Sequence, residues 1–497
     1  MILDDVRLAP ASRLPLAPRR ALAAAAIAGG LVGAALAGIG VPFAIALALT
    51  GVFAIGQALM LGGGAGPYTR PYLDQVPWVA LFTIVPFAAL AAGITLRRTG
   101  GLSTAAASAI GVSCVAPILE LEGLLHPSKA LVDALFHAHR LEWVLEGRYF
   151  FTQPMPSGVE FPYAIGLYVA AMPWASLVGD HVLLLRLVVI AAHALAGLAL
   201  YPLVVRRWAS PGAAVAAVAA YHLAPLPLVV IGNANQTYAF GQSVATIALA
   251  SAMTWPLGWR RLLDMLGLTA LIALGLLSHV GLIPLLGGLV GACALLVALR
   301  GDPVDRPAGW TILASAALAA VLAVGLYYAH FGDAFRSAQR VGQTQATPGA
   351  TAEVSEDGQL LSTADTGTSR PARIGRALLL GMSGFGLPML ALAAVGVTRL
   401  RPRTDRDRLS LMVTATLVFA VVVTAAAVLA PVEPRFERYT DEFISRLYYA
   451  VLPAVAISAG AGAAWLWPRA MAGRGVALVL GCAALVTAAR VWLGWIW

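Results

Sequence analysis

The sequence predicts an all-α polytopic membrane protein with about 13–14 transmembrane helices, at about 20 apolar residues per crossing, and an amphipathic-helix loop on the outer face. Three observations lead there. Of 497 residues, 60% are hydrophobic and 11% charged, against roughly 25% charged in a soluble domain. The mean hydropathy is +0.81. Apolar runs of spanning length recur along the chain with arginines between them. A water-soluble fold, a disordered chain and a fibrous one are excluded together.

The basic excess, 33 Lys plus Arg over 24 Asp plus Glu, sits in short clusters between apolar runs, which is a topology signal and not a nucleic-acid stripe. Lys129 is the single lysine, and Ala and Gly are heavily used, a composition that points to a GC-rich, bacterial genome. Cys114, Cys293 and Cys482 lie inside apolar runs and read as neither a disulfide framework nor a metal site.

Residues 1–20, with Arg7, Arg13, Arg19 and Arg20, read as a cytoplasmic tail, and 21–62 as one or two retained helices rather than a removed signal peptide. Further spans are expected near 77–96, 102–121, 182–204, 212–231, 240–255, 262–281, 282–299, 310–330, 379–398, 409–431, 447–467 and 476–497. Arg97-Arg98, Arg206-Arg207, Arg260-Arg261, Arg300 with Arg306, the run Arg399 to Arg408, and Arg469 with Arg474 then share the cytoplasmic side. The expected organisation is N-terminal helices over 21–121, an outer catalytic-type loop over 122–181, helices over 182–330, a flexible outer loop over 331–378, and C-terminal helices over 379–497. The 331–378 loop has too little apolar surface to fold alone and reads as a flap or a linker.

Charged and aromatic residues concentrate in 122–162. A helix is expected over 128–147, started by Pro127-Ser128 and stopped by Gly147. Its period places Lys129, Asp133, His137 and Arg140 on one face, with Leu131, Leu135, Ala138 and Leu145 opposite. Cationic neighbours would keep Asp133 ionised, the state of a general base. The competing reading is an interfacial helix whose Asp133 merely pairs with Lys129 or His137.

Arg435, Arg438 and Arg446 fall at an outward segment, 432–446, and suit a lipid phosphate; pairing with Glu433, Glu437, Asp441 and Glu442 is the alternative. Arg186 is placed either to snorkel or to bind a ligand. His279 falls near an outer helix end, where a cavity-facing and a structural role both fit. His222 lies nearer mid-membrane and must be paired or cavity-facing. Asn235-Gln236-Thr237 has the spacing of a glycosylation sequon and reads as chance, with Asn233, Asn235, Gln236 and Tyr238 as sugar-binding candidates.

The order of a carboxylate-bearing amphipathic helix, the turn Gly147-Arg-Tyr-Phe-Phe151, the segment Phe161-Pro162-Tyr163, then Gly179-Asp180, Leu-Leu-Leu-Arg186-Leu and a crossing that ends in Arg206-Arg207 resembles the first outer loop and next membrane helix of GT-C superfamily glycosyltransferases. That superfamily includes the protein O-mannosyltransferases and the bacterial aminoarabinose transferases, and the resemblance extends in general pattern to about residue 300. It implies a membrane hexosyl- or pentosyltransferase that moves a sugar from a polyprenyl-phosphate donor, with inversion, and assigns the catalytic base to Asp133. Glu160-Phe161-Pro162 stands where many members carry Pro-Pro-Leu. His137, Arg140, Glu160, Arg186, His279, Arg435, Arg438 and Arg446 are the substrate-binding candidates.

The expected partners are the lipid-linked donor, a lipid, glycan or protein acceptor, and membrane lipids, with no nucleic acid. No cofactor is called for, and a divalent metal stays open. The expected location is the bacterial cytoplasmic membrane with the active face outward, serving the cell envelope. Two other classes compete: a transporter or flippase of lipid-linked saccharides, which would place its polar residues at mid-membrane, and an envelope polysaccharide polymerase or ligase.

Overall fold

The computed structural model describes residues 103–494 apart from 126–128, 130, 132, 155–159, 177, 256, 258–261, 335, 337–369, 399–407 and 431–436. The spans expected before residue 97 lie outside the described residues. The chain divides into two compact units, 1–130 with 495–497, and 131–494. The described part of the first is helix α1, Thr104–Leu125.

The second unit opens with α2 (Ala134–Leu145), a two-stranded antiparallel ribbon β1 (Thr152–Pro154) and β2 (Glu160–Pro162), and the short helix α3 (Gly166–Ala171). The ribbon pairs Thr152 with Pro162, Gln153 with Phe161 and Pro154 with Glu160. Then follow α4 (His181–Trp208), α5 (Pro211–Leu223), α6 (Pro225–Gly232), α7 (Gln236–Thr254), α8 (Leu262–Leu276), α9 (Leu282–Arg300), α10 (Arg306–Leu326), α11 (Arg370–Phe385), α12 (Leu387–Val397), α13 (Arg408–Leu429), α14 (Glu437–Leu466) and α15 (Ala470–Leu493). Seven helices among the described residues are long and apolar enough to cross a membrane, or eight if α11 and α12 form one span. The protein is an all-α polytopic membrane protein.

Local chemistry sets the helix boundaries. Asp180 caps α4, its Oδ1 accepting from the Leu183 amide at 2.9 Å, and Ser210 caps α5 with Pro211 at its first position. The expected span 212–231 is found as one apolar stretch, Pro211–Gly232, with its helix interrupted at Ala224, where Pro225 and Pro227 remove the donors a continuous helix would use. Three expectations are corrected. The run 379–398 bends by 94° at Gly386, whose φ of 79° is open to glycine and strained for other residues. Helix α11 begins at Arg370, so the last nine positions assigned to the 331–378 loop are helical, and Glu437–Arg446, read as part of an outward loop, are the first turns of α14.

Helix α14 is the axis of the second unit, packed by α5, α7, α11, α12 and α13. Without lipid-excluding hydrophobic force between helices, close contact depends on small residues. A Cβ on Gly396 of α12 would overlap the Ser458 carbonyl, one on Gly462 the Leu392 carbonyl, and one on Gly460 the Ala213 carbonyl of α5. These helices therefore meet backbone to backbone.

At the end of the bundle that holds Arg207 and Arg408, charges are buried only where they are paired. Asp305, 6% exposed, receives Arg408 through Nε at 3.0 Å and Nη2 at 2.7 Å, and through the Arg408 backbone amide at 3.2 Å. Arg408 Nη1 donates to the Ala252 carbonyl at 2.8 Å, and Arg207 Nε donates to Met253 at 2.8 Å. The C-terminal carbonyls of α7 and the starts of α10 and α13 are thus held together by two guanidinium groups and one carboxylate. Asp305→Asn leaves Arg408 buried without its counter-charge, so a loss of about 3–5 kcal/mol is expected, read as a lowered thermal unfolding midpoint in detergent.

Candidate active site

Helix α2 and its flanks build one wall of the site. The helix ends in a Schellman arrangement: Gly147, with φ 84°, donates to the Val144 carbonyl at 3.0 Å, and Arg148 donates to Trp143 at 2.8 Å. Gly147 is the stop that the sequence indicated. The described helix starts later than expected, at Ala134, so Asp133 occupies the N-cap instead of mid-helix. The Asp133 side chain makes no cap bond and is exposed.

The face of α2 that carries its polar residues turns into the protein. His137 is 2% exposed and Arg140 8%, while Leu135 and Leu145 are 45% and 41% exposed. The reason is that both polar groups find partners inside. His137 Nδ1 shares a 2.8 Å hydrogen bond with the Tyr168 hydroxyl on α3. Arg140 Nη2 donates to Gln153 Oε1 on β1 at 2.9 Å, and its guanidinium lies 3.8 Å from the Trp143 ring centroid and 4.7 Å from that of Phe136. Tyr168, rather than Asp133, therefore engages His137, and the pairing of Asp133 with His137 is not formed.

A second wall comes from α7, the turn before α9, and α14. The Tyr238 hydroxyl donates to the Arg446 carbonyl and accepts from Gln242 Nε2 at 2.9 Å. The His279 ring sits 5.1 Å from the Tyr238 ring, edge on. Its Nδ1 accepts from the Gly281 amide at 3.0 Å, which leaves the proton on Nε2. Arg446 Nη2 pairs with Glu442 Oε1 at 3.1 Å, one helical turn away. Gly281 leaves room for this approach, since a Cβ there would crowd both Arg446 Nη1 and His279 Nδ1.

The walls meet at Tyr163. Its ring contacts Phe136 and His137, its carbonyl accepts from the Tyr327 hydroxyl, and Asp133, Arg140 and Arg446 all act on its phenol. Burial raises the pKa of that phenol and the Asp133 charge adds to the effect, while the Thr237 side chain and the two arginines oppose it. Burial pushes His137 down to about 4, opposed by the Ala234 backbone and reinforced by the Arg140 charge. His279 is pushed down to about 3 by burial, then by the charge of Arg446 and by His137. Both imidazoles are neutral near pH 7. Ala234 lies between α6 and α7 with φ 56°, a left-handed conformation that is costly for a residue with a Cβ.

Gln242 also lines an open apolar groove along α7, whose walls include Thr246, Leu249, Leu268, Cys293, Met412 and Pro453. Asp133, His137 and Arg140 thus belong to the first wall and His279 and Arg446 to the second, which Gln242 joins to this groove. Arg186 is 2% exposed on α4, inside the protein, which overturns snorkelling. Arg435 and the side chains of Glu160 and Arg438 lie outside the described residues. The sequon positions 235–237 open α7, with Gln236 and Thr237 at 3% and 1% exposure.

Sequence reasoning missed Gln153, Tyr163, Tyr168, Thr237 and Tyr327, which come from separate segments and carry no shared spacing. It also missed His193, which supplies a neighbour for His222: their rings are 5.2 Å apart, and Tyr221 stacks on His193 at 5.0 Å. These two imidazoles, with ring nitrogens within 4.8 Å of one another, are ligands of a kind zinc takes.

The packing of α2 should depend on pH. His137 is neutral when packed and returns to an ordinary value of 6.5 when α2 lifts away. The opened state then binds more protons between these two values, so packing is at full strength above about pH 6.5 and is lost as pH falls toward about 4. Amide exchange in α2, corrected for intrinsic rates, should show protection at pH 7 that declines at pH 5. His137→Phe should flatten the dependence, since Tyr163, Tyr168 and Arg140 keep one protonation state in that window and His279 is unchanged between the two proteins.

No protein-family model matches the chain, and no curated protein matches it. Among solved structures, the chain is similar to the archaeal oligosaccharyltransferase AglB from Archaeoglobus fulgidus in complex with an inhibitory peptide and a dolichol-phosphate, at 13% identity and a TM-score of 0.44, over 78% of this chain and 56% of that one. It is also similar to an Archaeoglobus fulgidus oligosaccharyltransferase in complex with Zn and sulfate, at 14% identity and a TM-score of 0.45, over 78% of this chain and 53% of that one. The chain spans about half the length of these structures.

Proposed function

We propose that the chain is a membrane glycosyltransferase that moves a sugar from a polyprenyl-phosphate donor to an acceptor hydroxyl, with inversion, at the outer face of a bacterial cytoplasmic membrane. The observation that carries this reading is the exposed Asp133 at the N-cap of α2, whose His137 and Arg140 pack inward beside Tyr163 and Tyr168, together with Arg446 and Tyr238 on the second wall and the apolar groove that Gln242 lines. A lipid-phosphate sugar has the matching parts: an apolar chain for the groove, a phosphate for arginine, and a reacting carbon between phosphate and acceptor.

In this mechanism the acceptor oxygen attacks the anomeric carbon from the face opposite the phosphate. Asp133 takes the hydroxyl proton, the bond from the anomeric carbon to the phosphate oxygen breaks, and the lipid phosphate leaves with both electrons of that bond. Arg446 stabilises the charge that gathers on the phosphate, and Arg435 and Arg438 are assigned to the same clamp. An exposed carboxylate at a helix N-cap with no side-chain cap bond is open to an incoming hydroxyl. Glu160 and Arg186 are assigned to substrate contacts from their positions in the sequence.

A second reading, transport of a lipid-linked saccharide, draws on the buried His193, Tyr221 and His222 group within α4 and α5. The two differ in what Asp133 does. With the protein reconstituted in lipid and supplied with a polyprenyl-phosphate sugar it uses, Asp133→Asn should cut transfer by about 100-fold to 10,000-fold, the range expected for loss of a general base. Thermal stability should stay unchanged, because the asparagine keeps the N-cap preference and breaks no bond. Arg446→Ala should raise KM for the donor more than it lowers kcat. Full transfer by the Asp133→Asn protein sinks the assignment.

A further inference from the structure

Tyr238, in the first turn of α7, holds Arg446 in two ways. Its hydroxyl donates to the Arg446 carbonyl, and its ring centroid lies 5.8 Å from the Arg446 guanidinium, close enough for a cation to be drawn to an aromatic ring. Tyr238 is 1% exposed, and its ring is wedged by T-shaped contacts with His279 at 5.1 Å and Tyr449 at 5.7 Å.

The neighbours of the hydroxyl fix where its proton points. A phenol has one proton to give and can also accept. The Arg446 carbonyl only accepts, and Gln242 Nε2 donates to the phenol oxygen at 2.9 Å. The proton is therefore committed to Arg446. Gln242 sits one turn further along α7 and lines the apolar groove, so a chain of hydrogen bonds runs from the groove to the arginine. With its proton given away, what Tyr238 does for a ligand it does through Arg446.

The other contact of the Arg446 head is a weak one. Its Nη2 pairs with Glu442, and these two side chains are 29% and 51% exposed; a partly solvated pair of this kind fixes a side chain poorly. Gly281, where a Cβ would stand 3.1 Å from Arg446 Nη1, keeps the space beside the head clear.

We propose that Tyr238 is a positioning residue: it sets Arg446 to receive the phosphate of a polyprenyl-phosphate donor, and Gln242 holds Tyr238 to that task. The assignment rests on Arg446 acting as the phosphate clamp of the proposed transferase. A guanidinium binds phosphate through a fork of fixed geometry, so a small shift of the α14 backbone or of the arginine head spoils the phosphate contact while an apolar chain still binds.

The test uses the full chain in a non-ionic detergent that carries no phosphate. Farnesyl phosphate serves as a short lipid phosphate and farnesol as the same chain without it, with apparent affinities taken from the rise of the thermal unfolding midpoint with lipid concentration. Wild type should prefer farnesyl phosphate, and Arg446→Ala should remove that preference. Tyr238→Phe, which keeps the ring and loses the hydroxyl, should lower the preference about tenfold, the scale of one hydrogen bond, and leave farnesol binding unchanged. In an Arg446→Ala background the same change should have no further effect, the non-additivity of a residue that acts through another. Gln242→Met, which removes the donor at similar length, should lower the preference likewise and serves where Tyr238→Phe does not fold. A wild type that binds both lipids alike, or an Arg446→Ala protein that keeps the preference, overturns the clamp and the positioning role with it. A preference lost in Arg446→Ala but kept in full by Tyr238→Phe and Gln242→Met, or a further loss of farnesyl phosphate affinity on Tyr238→Phe in the Arg446→Ala background, overturns the positioning role and leaves the clamp standing.

Discussion

Helix α14 can be approached to backbone contact from two sides because Gly460 and Gly462, with Gly396 on α12, carry no side chains. Everything else in the second unit is arranged around that approach. In a bilayer, helices gain little by hiding apolar side chains from lipid, so the gain comes from dense packing between backbones. Once α5 and α12 seat against α14, its first turns are set relative to α7 and α11, and Arg446 and Asp441 are aimed to opposite sides of the helix.

The candidate site follows from where polar groups can be satisfied. His137 and Arg140 have no place on a lipid-facing surface, and the ribbon of β1 and β2 with α3 supplies the phenol, amide and aromatic rings that pair them. Burial then keeps both histidines neutral, while Arg140 and Arg446 supply the fixed positive charge. Asp133, one residue before α2, stays outside this sealed network and accessible. The result is a site with a buried, pre-set electrostatic floor and an exposed carboxylate at its rim, a division of labour that suits chemistry at an interface.

The two ends of the bundle solve the problem of charge differently. At the Arg408 end, the guanidinium groups of Arg207 and Arg408 are engaged by Asp305 and by helix C-terminal carbonyls, which ties helices together. At the Asp133 end, among the described residues, Arg446 pairs with the exposed Glu442 and Arg373 donates to the Ala430 carbonyl.

The composition and the apolar runs were enough to determine an all-α membrane protein and to place each described span from residue 102 onward, because the bilayer demands long uninterrupted apolar segments that leave a plain one-dimensional trace. Gly147 as a helix stop was legible for the same local reason. The period of α2 was legible too, but not the direction its polar face would turn, since that depended on Tyr168 and Gln153 from later segments. Pro225 and Gly386 broke two runs that hydropathy averaged over, and amphipathic Arg370–Leu378 read as loop because its polar side outweighed its apolar one. Asp133 and Arg140 share the period of α2, but Arg446, about 300 positions later in the chain, carries no spacing that ties it to them, and only the tertiary structure lets its charge act on Tyr163 together with theirs.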